Sequence, residues 1–369
     1  MKKLIGILSA SLMMFSAVAQ DDLNTITTAV PFLLIGPDAR AGAMGDVGVA
    51  TTPDVNSMHW NPAKLAFNEN DLGASMSFVP WLRSLVNDIN LSYITGYKKI
   101  GDKQAIGFEL GYFSLGQITF TDVNGGLIGN YTPNEYVIGS AYSRKLSDDF
   151  SLSVGGKYIL SDLTGGQSAG GIETASGKSF AADVSGFYSK PIRISGKDID
   201  LAIGCNISNI GSKIKYTETA TNDFIPINLR LGTALGADID DYNKVSIAFD
   251  LNKLLVPTPA KYENGERVAG MDSEVGVVSG IFQSFWDAPG GTKEEFRELM
   301  YSVGGEYWYA NQFALRTGYF NEHDTKGGRK YFTFGMGMKY TVYTIDFSYL
   351  VNANNDAGAT NPLANTMRF

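Results

Sequence analysis

The stretch Phe332-Thr333-Phe334-Gly335-Met336-Gly337-Met338-Lys339-Tyr340 decides the fold. Every second side chain is large and apolar, and every side chain between is small or polar. Successive side chains of a strand point to opposite faces, so this segment has one oily face and one wet one. The pattern repeats along the chain. Tyr343, Ile345, Phe347 and Tyr349 interleave with Thr344, Asp346 and Ser348. Ile106, Phe108, Leu110 and Tyr112 interleave with Gly107, Glu109 and Gly111. Val245, Ile247, Phe249, Leu251 and Ile199, Leu201, Ile203, Cys205, Ile207 follow the same rule.

Fourteen such segments lie near 71–80, 88–97, 104–114, 133–144, 150–160, 178–190, 198–209, 225–237, 243–251, 300–309, 312–320, 330–340, 343–350 and 362–369. A soluble β-sandwich also alternates, but its strands average about five or six residues, and these run to roughly ten. The connections alternate too. Short links such as Ala310-Asn311 and Thr341-Val342 are set against long ones such as 252–299. Short periplasmic turns opposite long outer loops, with an even strand number, are the layout of an outer-membrane barrel. Hydrocarbon offers no hydrogen-bond partner to backbone, so only a closed sheet can cross it with strands. The expectation is an all-β fold: a 14-stranded antiparallel transmembrane β-barrel over 71–369, with N- and C-termini periplasmic.

The chain opens Met1-Lys2-Lys3, runs apolar to Phe15 and reaches Ala17-Val18-Ala19-Gln20. A basic start, a short apolar run and a small-x-small site read as a secretory signal peptide over 1–19. That run is too short to span a bilayer as a helix, and no later run approaches 18 apolar residues. The net charge of -8 argues against nucleic acid as a partner. One cysteine and two distant histidines, His59 and His323, argue against a disulfide framework and a zinc site. No cofactor and no catalytic constellation are expected. His59 beside Trp60 reads as a packed residue, and Cys205 as a small hydrophobe on a lipid-facing set.

A barrel of this width is not filled by its own side chains. Residues 20–70, rich in Gly, Ala, Asp and Pro, are expected to fold into the lumen as a hatch. The predicted inward positions carry acids at Glu109, Asp183, Asp200, Asp250, Glu306 and Asp346. They carry bases at Lys157, Arg230, Lys244, Arg316, Lys339 and Arg368, a balance that suggests pairing across the lumen.

The run 36–50 leads to Asp54 and then to Asn61-Pro62-Ala63-Lys64-Leu65. This region resembles the N-terminal region of the PorV family, within the wider FadL-like outer-membrane group. The tripeptide Asn61, Pro62, Ala63 looks like the hatch motif of that group. Asp287-Ala288-Pro289-Gly290-Gly291, the runs 306–319 and 346–350, and Asn361-Pro362-Leu363-Ala364-Asn365-Thr366-Met367-Arg368-Phe369 are similar to PorV of the type IX secretion system of the Bacteroidota. The resemblance implies a non-enzymatic barrel in outer-membrane lipid. Such a barrel binds the C-terminal domains of secreted cargo, associates with the translocon barrel SprA (Sov) and delivers cargo to the PorU-containing attachment complex. The alternative is a FadL-like transporter for a hydrophobic small molecule.

A docking protein needs exposed apolar anchors. The outer loops offer Trp81, Leu82 and Leu85, and then Phe282, Phe285 and Trp286 on the longest connection, which also carries Leu254, Leu255, Val256 and Ile281. The same residues could instead pack the loops against themselves or form an interfacial girdle. The longest connection ends in 292–299, which reads as a short helix with Thr292 as N-cap and Glu295 completing a capping box.

Overall fold

The computed structural model describes residues 23–82, 86, 88–121, 124–166, 173–194, 196–217, 221–353 and 367–368. The expected leader, Leu85 and most of the expected last strand lie outside them. The strands are β1 (Leu72–Pro80), β2 (Ile89–Lys99), β3 (Gln104–Leu115), β4 (Ile118–Thr121), β5 (Leu127–Tyr131), β6 (Asn134–Lys145), β7 (Phe150–Asp162), β8 (Gly177–Ile194) and β9 (Lys197–Gly211). There follow β10 (Asn228–Asp238), β11 (Asn243–Leu254), β12 (Lys261–Glu263), β13 (Glu266–Ala269), β14 (Met300–Tyr309), β15 (Phe313–Asn321), β16 (Lys330–Tyr340), β17 (Tyr343–Asn352) and β18 (Met367–Arg368). Four short helices complete the list: α1 (Ala39–Ala43), α2 (Ser57–Trp60), α3 (Val277–Gln283) and α4 (Thr292–Arg297).

Fourteen strands form one sheet in which each is hydrogen-bonded to the next, while β4–β5 and β12–β13 are separate hairpins inside long connections. Every pairing is antiparallel, as chain-order neighbours joined by turns must be. The register keeps each apolar set on one face. On β16, Phe332, Phe334, Met336 and Met338 are 48–59% exposed, while Thr333 between them is fully buried. A belt of exposed Phe, Met, Ile and Tyr over successive strands suits lipid and no aqueous surface. The tight turns use left-handed backbone: Ala310 and Asn311 have φ of 51° and 54°, the pair a two-residue hairpin turn requires.

The β8–β9 hairpin is longer than its neighbours. Its pairs Pro191↔Asp200, Ile192↔Ile199, Arg193↔Asp198 and Ile194↔Lys197 continue past the last β7 partner, Tyr188. A bulge on β9 between Ile207 and Ile210, opposite Asp183, lets Asn209 N donate to the Asp183 carboxylate at 2.8 Å.

Residues 23–70 contain α1, α2 and 3-10 turns at Pro31–Leu34 and Pro62–Phe67. Helix α1 packs on β15 to β18, whereas the turn at Pro62–Phe67 packs on β2, β3 and β6 to β8. One short segment thus meets strands remote from each other in the sheet order. Backbone passes unusually close where Met44 lies on Gly304 and Gly318, because any Cβ at those two glycines would strike Met44 main-chain atoms. The two end strands of the sheet, β1 and β18, come within 8 Å, with no ladder pairs between them among the described residues.

The expected periplasmic N-terminus is not supported. Asn24 N donates to Thr325 O at 3.0 Å in the β15–β16 loop, and its side chain donates to Pro259 O and Glu294 on the longest loop. The first described residues, around Asn24, therefore sit at the long-loop side, not at the short-turn side. Alternation locates strands but says nothing of where a non-alternating segment runs. Strand β18 is antiparallel to β17 and does head for the short-turn side.

Candidate functional site

The Asn61-Pro62-Ala63 tripeptide is wholly buried and fastens the N-terminal segment to the wall. Pro62 opens the 3-10 turn, where its fixed φ fits and its missing N–H is not needed. Asn61 Nδ2 donates to Val49 O at 2.8 Å and Gly186 O at 3.0 Å, while its Oδ1 accepts from Ala63 N at 3.1 Å. Ala63 O accepts from Ser143 Oγ at 3.0 Å and Ser151 Oγ at 2.6 Å, and Ala63 N also donates to Ser185 Oγ at 3.0 Å. Three inward serines on β6, β7 and β8 thus grip the backbone of one residue from both sides. The next residue, Lys64, donates to Gly48 O at 2.8 Å and Thr51 Oγ1 at 3.0 Å. Burial of its ammonium brings the pKa down to about 8.

Ion pairs tie the other flank. Arg40 on α1 makes a two-pronged contact with Glu306 of β14, at 3.0 and 2.8 Å, and reaches Asp54 at 2.8 Å. Glu306 also accepts from Arg316 Nε at 2.6 Å, and Arg316 continues to Asp346 at 2.6 Å. Lys157 bridges Asp183 at 2.8 Å and Glu109 at 3.4 Å. Asp250 accepts from the backbone N–H of Gly48 and Val49 at 2.8 and 3.0 Å. Arg230 lies 4.5 Å over the Trp60 ring, whose Nε1 donates to Asp38 at 2.6 Å. Much of the expected charge pairing is present, but it runs through this segment as well as across the wall. Five of the twelve inward charges depart from it: Asp250 and Arg230 are held by backbone N–H groups and by the Trp60 ring rather than by an opposite charge, and three more lie near the short turns. Asp200 and Lys339 are exposed at the short-turn side, and Lys244 pairs there with Asp238 at 3.4 Å. These positions lie past the end of the packed interior, where charge simply meets water. His59 packs edge-on to Trp60 and Tyr93, with burial holding its imidazole well below the usual range.

At the long-loop side a cavity of about 540 Å³ opens between residues 25–35 and the wall. Ile26, Phe32, Leu34, Trp81, Leu82, Ile89, Phe113 and Met300 line it, with Glu298, Glu322, Lys326 and Arg329 among its polar groups. Trp81 and Leu82, expected as outward anchors, are half-buried here and pack on the core around Met300, Phe320, Tyr331 and Leu350. Leu82, two residues past the end of β1, takes a left-handed φ of 51°.

The longest connection behaves differently. Leu255 and Val256 are buried and Ile281 is packed against them, yet Phe282, Phe285 and Trp286 are 62%, 44% and 62% exposed. Val278, one turn before Phe282 on α3, is 67% exposed, and Phe296 on α4 is 70% exposed. The base under these side chains is charged. Buried Lys253 donates to Glu298 at 2.7 Å and Glu295 at 3.1 Å. Lys326 donates to Glu294 at 2.6 Å and Glu298 at 3.0 Å, and Thr258 Oγ1 reaches Glu298 at 2.7 Å. Asp287 accepts from Thr258 N at 3.1 Å, and burial lifts its carboxyl to about 6. The expected capping box at Thr292 does not form: Gly291 is the N-cap, and Glu295 instead accepts from Ala288 N at 2.8 Å. Two lysines from separate strands and loops compete for that carboxylate run, which spacing alone could not disclose. The triplet Glu294, Glu295, Glu298 was the available signal. Among the described residues no group of three His, Cys, Asp or Glu is placed to hold a metal ion.

The large antiparallel sheet with its exposed apolar belt is that of an outer-membrane β-barrel protein, and residues 23–70 pack against strands remote from each other in that sheet. In fold it is similar to the monoaromatic hydrocarbon channel CymD, with a TM-score of 0.51, 12% identity, and coverage of 91% of this chain and 95% of that one. It is similar as well to a TodX deltaS2S3 mutant monoaromatic hydrocarbon channel, at TM-score 0.52, 11% identity, and coverage of 90% and 96%. No curated protein is similar enough in sequence to match. The family described as type IX secretion system protein PorV matches residues 18–261, more than half of the chain, and the chain belongs to the PorV family.

Proposed function

We propose that this protein is a closed fourteen-stranded barrel in outer-membrane lipid, plugged by residues 20–70, that serves type IX secretion without catalysing a reaction. Its short turns face the periplasm and its long loops the cell exterior. It binds the C-terminal signal domain of secreted cargo at the SprA (Sov) translocon and delivers it to the PorU-containing attachment complex. One observation carries the reading within the family. Phe282, Phe285 and Trp286 stand exposed together on a loop whose base is pinned by buried Lys253 and Lys326. Large aromatics held out to water on a fixed support are the composition of an interface hot spot. Leu85, which lies outside the described residues, remains a proposed neighbour of that surface, while Trp81 and Leu82 support it from the cavity side. The test is Phe285→Ser with Trp286→Ser, followed by recovery of secreted proteins with the tagged barrel from native membranes. Loss of those proteins with normal barrel assembly is expected, and undiminished recovery removes this loop from the proposal.

The cavity of about 540 Å³ favours a second reading, carriage of a hydrophobic small molecule. It predicts a lipid or aromatic compound co-purifying with the wild-type protein and lost on Phe113→Asp.

A further inference from the structure

A rolled sheet is weakest where its first and last strands meet, because those strands are the most distant in sequence and close the largest loop. In this chain β18 has only two described pairs with β17, Ser348↔Arg368 and Tyr349↔Met367. Its Arg368 does not face water. It is 1% exposed and its guanidinium contacts the carboxylate of Asp46, at the end of the α1 segment. Asp46 is fixed from three directions. Its N–H donates to Ala41 O at 2.9 Å, its Oδ2 accepts from Tyr331 OH of β16 at 2.6 Å, and its φ of 62° follows left-handed Gly45. The segment is also cut to admit this one side chain. A Cβ at Gly36 would lie 2.9 Å from Arg368 Nη1, and one at Gly42 would lie 2.7 Å from the same atom. The segment then runs through Asn61, which bonds the opposite wall, directly into β1.

We infer that the N-terminal segment is a clasp for the barrel seam: the Asp46–Arg368 pair holds the last strand in place against a segment that is continuous with the first. The interior plug therefore remains docked in the assembled protein, and closure of the wall requires it. Removing either member of a buried carboxylate–guanidinium pair leaves a desolvated, unpaired charge, so the seam depends on both. The inference rests on the closed barrel proposed above, not on cargo binding.

The test uses full-length protein in detergent micelles. Wild type is expected to migrate faster before heating than after it, as a closed barrel does, and an unchanged mobility would overturn the barrel and the clasp together. On folded Arg368→Gln and Asp46→Asn proteins, amide exchange is expected to quicken at least tenfold at 72–80 and 343–349, with β6 to β8 unchanged. Asn61→Ala should show the reverse distribution. Where Arg368→Gln yields no folded protein, Arg368→Lys, which keeps a charge for Asp46, is expected to fold with wild-type seam exchange. Unchanged exchange in Arg368→Gln, uniform loosening of all strands, or an Arg368→Lys protein that also fails to fold would each overturn the clasp.

Discussion

Replacing Asn61 by Ala removes three buried hydrogen bonds at once: two donated to Val49 O and Gly186 O, and one accepted from Ala63 N. A buried bond contributes about 1 kcal/mol net, so the full loss comes to about 3 kcal/mol. Ala63 N keeps Ser185 Oγ as a partner, which lowers the expected cost toward about 2 kcal/mol. Asn61→Asp separates geometry from chemistry. One carboxylate oxygen can still accept from Ala63 N, but the other faces two carbonyl oxygens and donates nothing. The charge is also buried, which costs several kcal/mol unless the group takes up a proton. Asn61→Asp should therefore be less stable than Asn61→Ala at pH 8, and should recover at pH 5, where a protonated carboxyl can donate one of the lost bonds. The assay is denaturant unfolding in micelles at both pH values, followed by tryptophan fluorescence, to which nearby Trp60 contributes. An Asn61→Ala protein within about 0.5 kcal/mol of wild type would refute the reasoning, as would an Asn61→Asp protein matching Asn61→Ala at pH 8.

Asp287 titrates in the folded loop at about 6, above its ordinary value of 3.8, so protonation favours the folded form. Protection of the 255–299 connection from protease should rise as pH falls from 7 to 5. Glu294 is shifted the other way, chiefly by Lys326 against the pull of burial, and its contribution is lost only below its ordinary range. Asp287→Asn should abolish the gain between pH 7 and 5, and a wild-type protease profile that is flat over that interval would count against it. Gly318→Ala should leave little protein in the heat-modifiable form, since the new Cβ strikes the Met44 backbone from a strand that cannot move aside. Normal yield of folded Gly318→Ala would mean that the segment does not sit against β15.

The wall was legible because a strand states its own orientation: Phe332 to Met338 alternate in sequence and alternate in burial. Charge balance was legible for the same reason, and Lys157 and Arg316 found the acids that their faces implied. What the sequence hid depends on distant partners. Trp81 and Leu82 pack on the core around Met300, Phe320, Tyr331 and Leu350, partners that no local spacing announces. Thr292 lost its capping role to Gly291 because Glu295 was drawn to Lys253 and the Ala288 amide. The N-terminal path was hidden altogether, since non-periodic residues such as Asn24 are placed by partners hundreds of positions away.

The elongated β8–β9 hairpin runs beyond the strands on either side of it, so its outermost rungs have bare backbone margins left and right. At about 3.3 Å of rise per residue, the stretch from Ile192 to Ile194 forms a tongue of roughly 10 Å. Bare margins invite neighbouring copies to zip together, and a protein concentrated in a two-dimensional sheet of lipid meets its own kind often. Arg193, Lys197 and Asp198 crowd this tongue with mixed, water-exposed charge, which opposes such zipping and lets many copies share one surface without tangling.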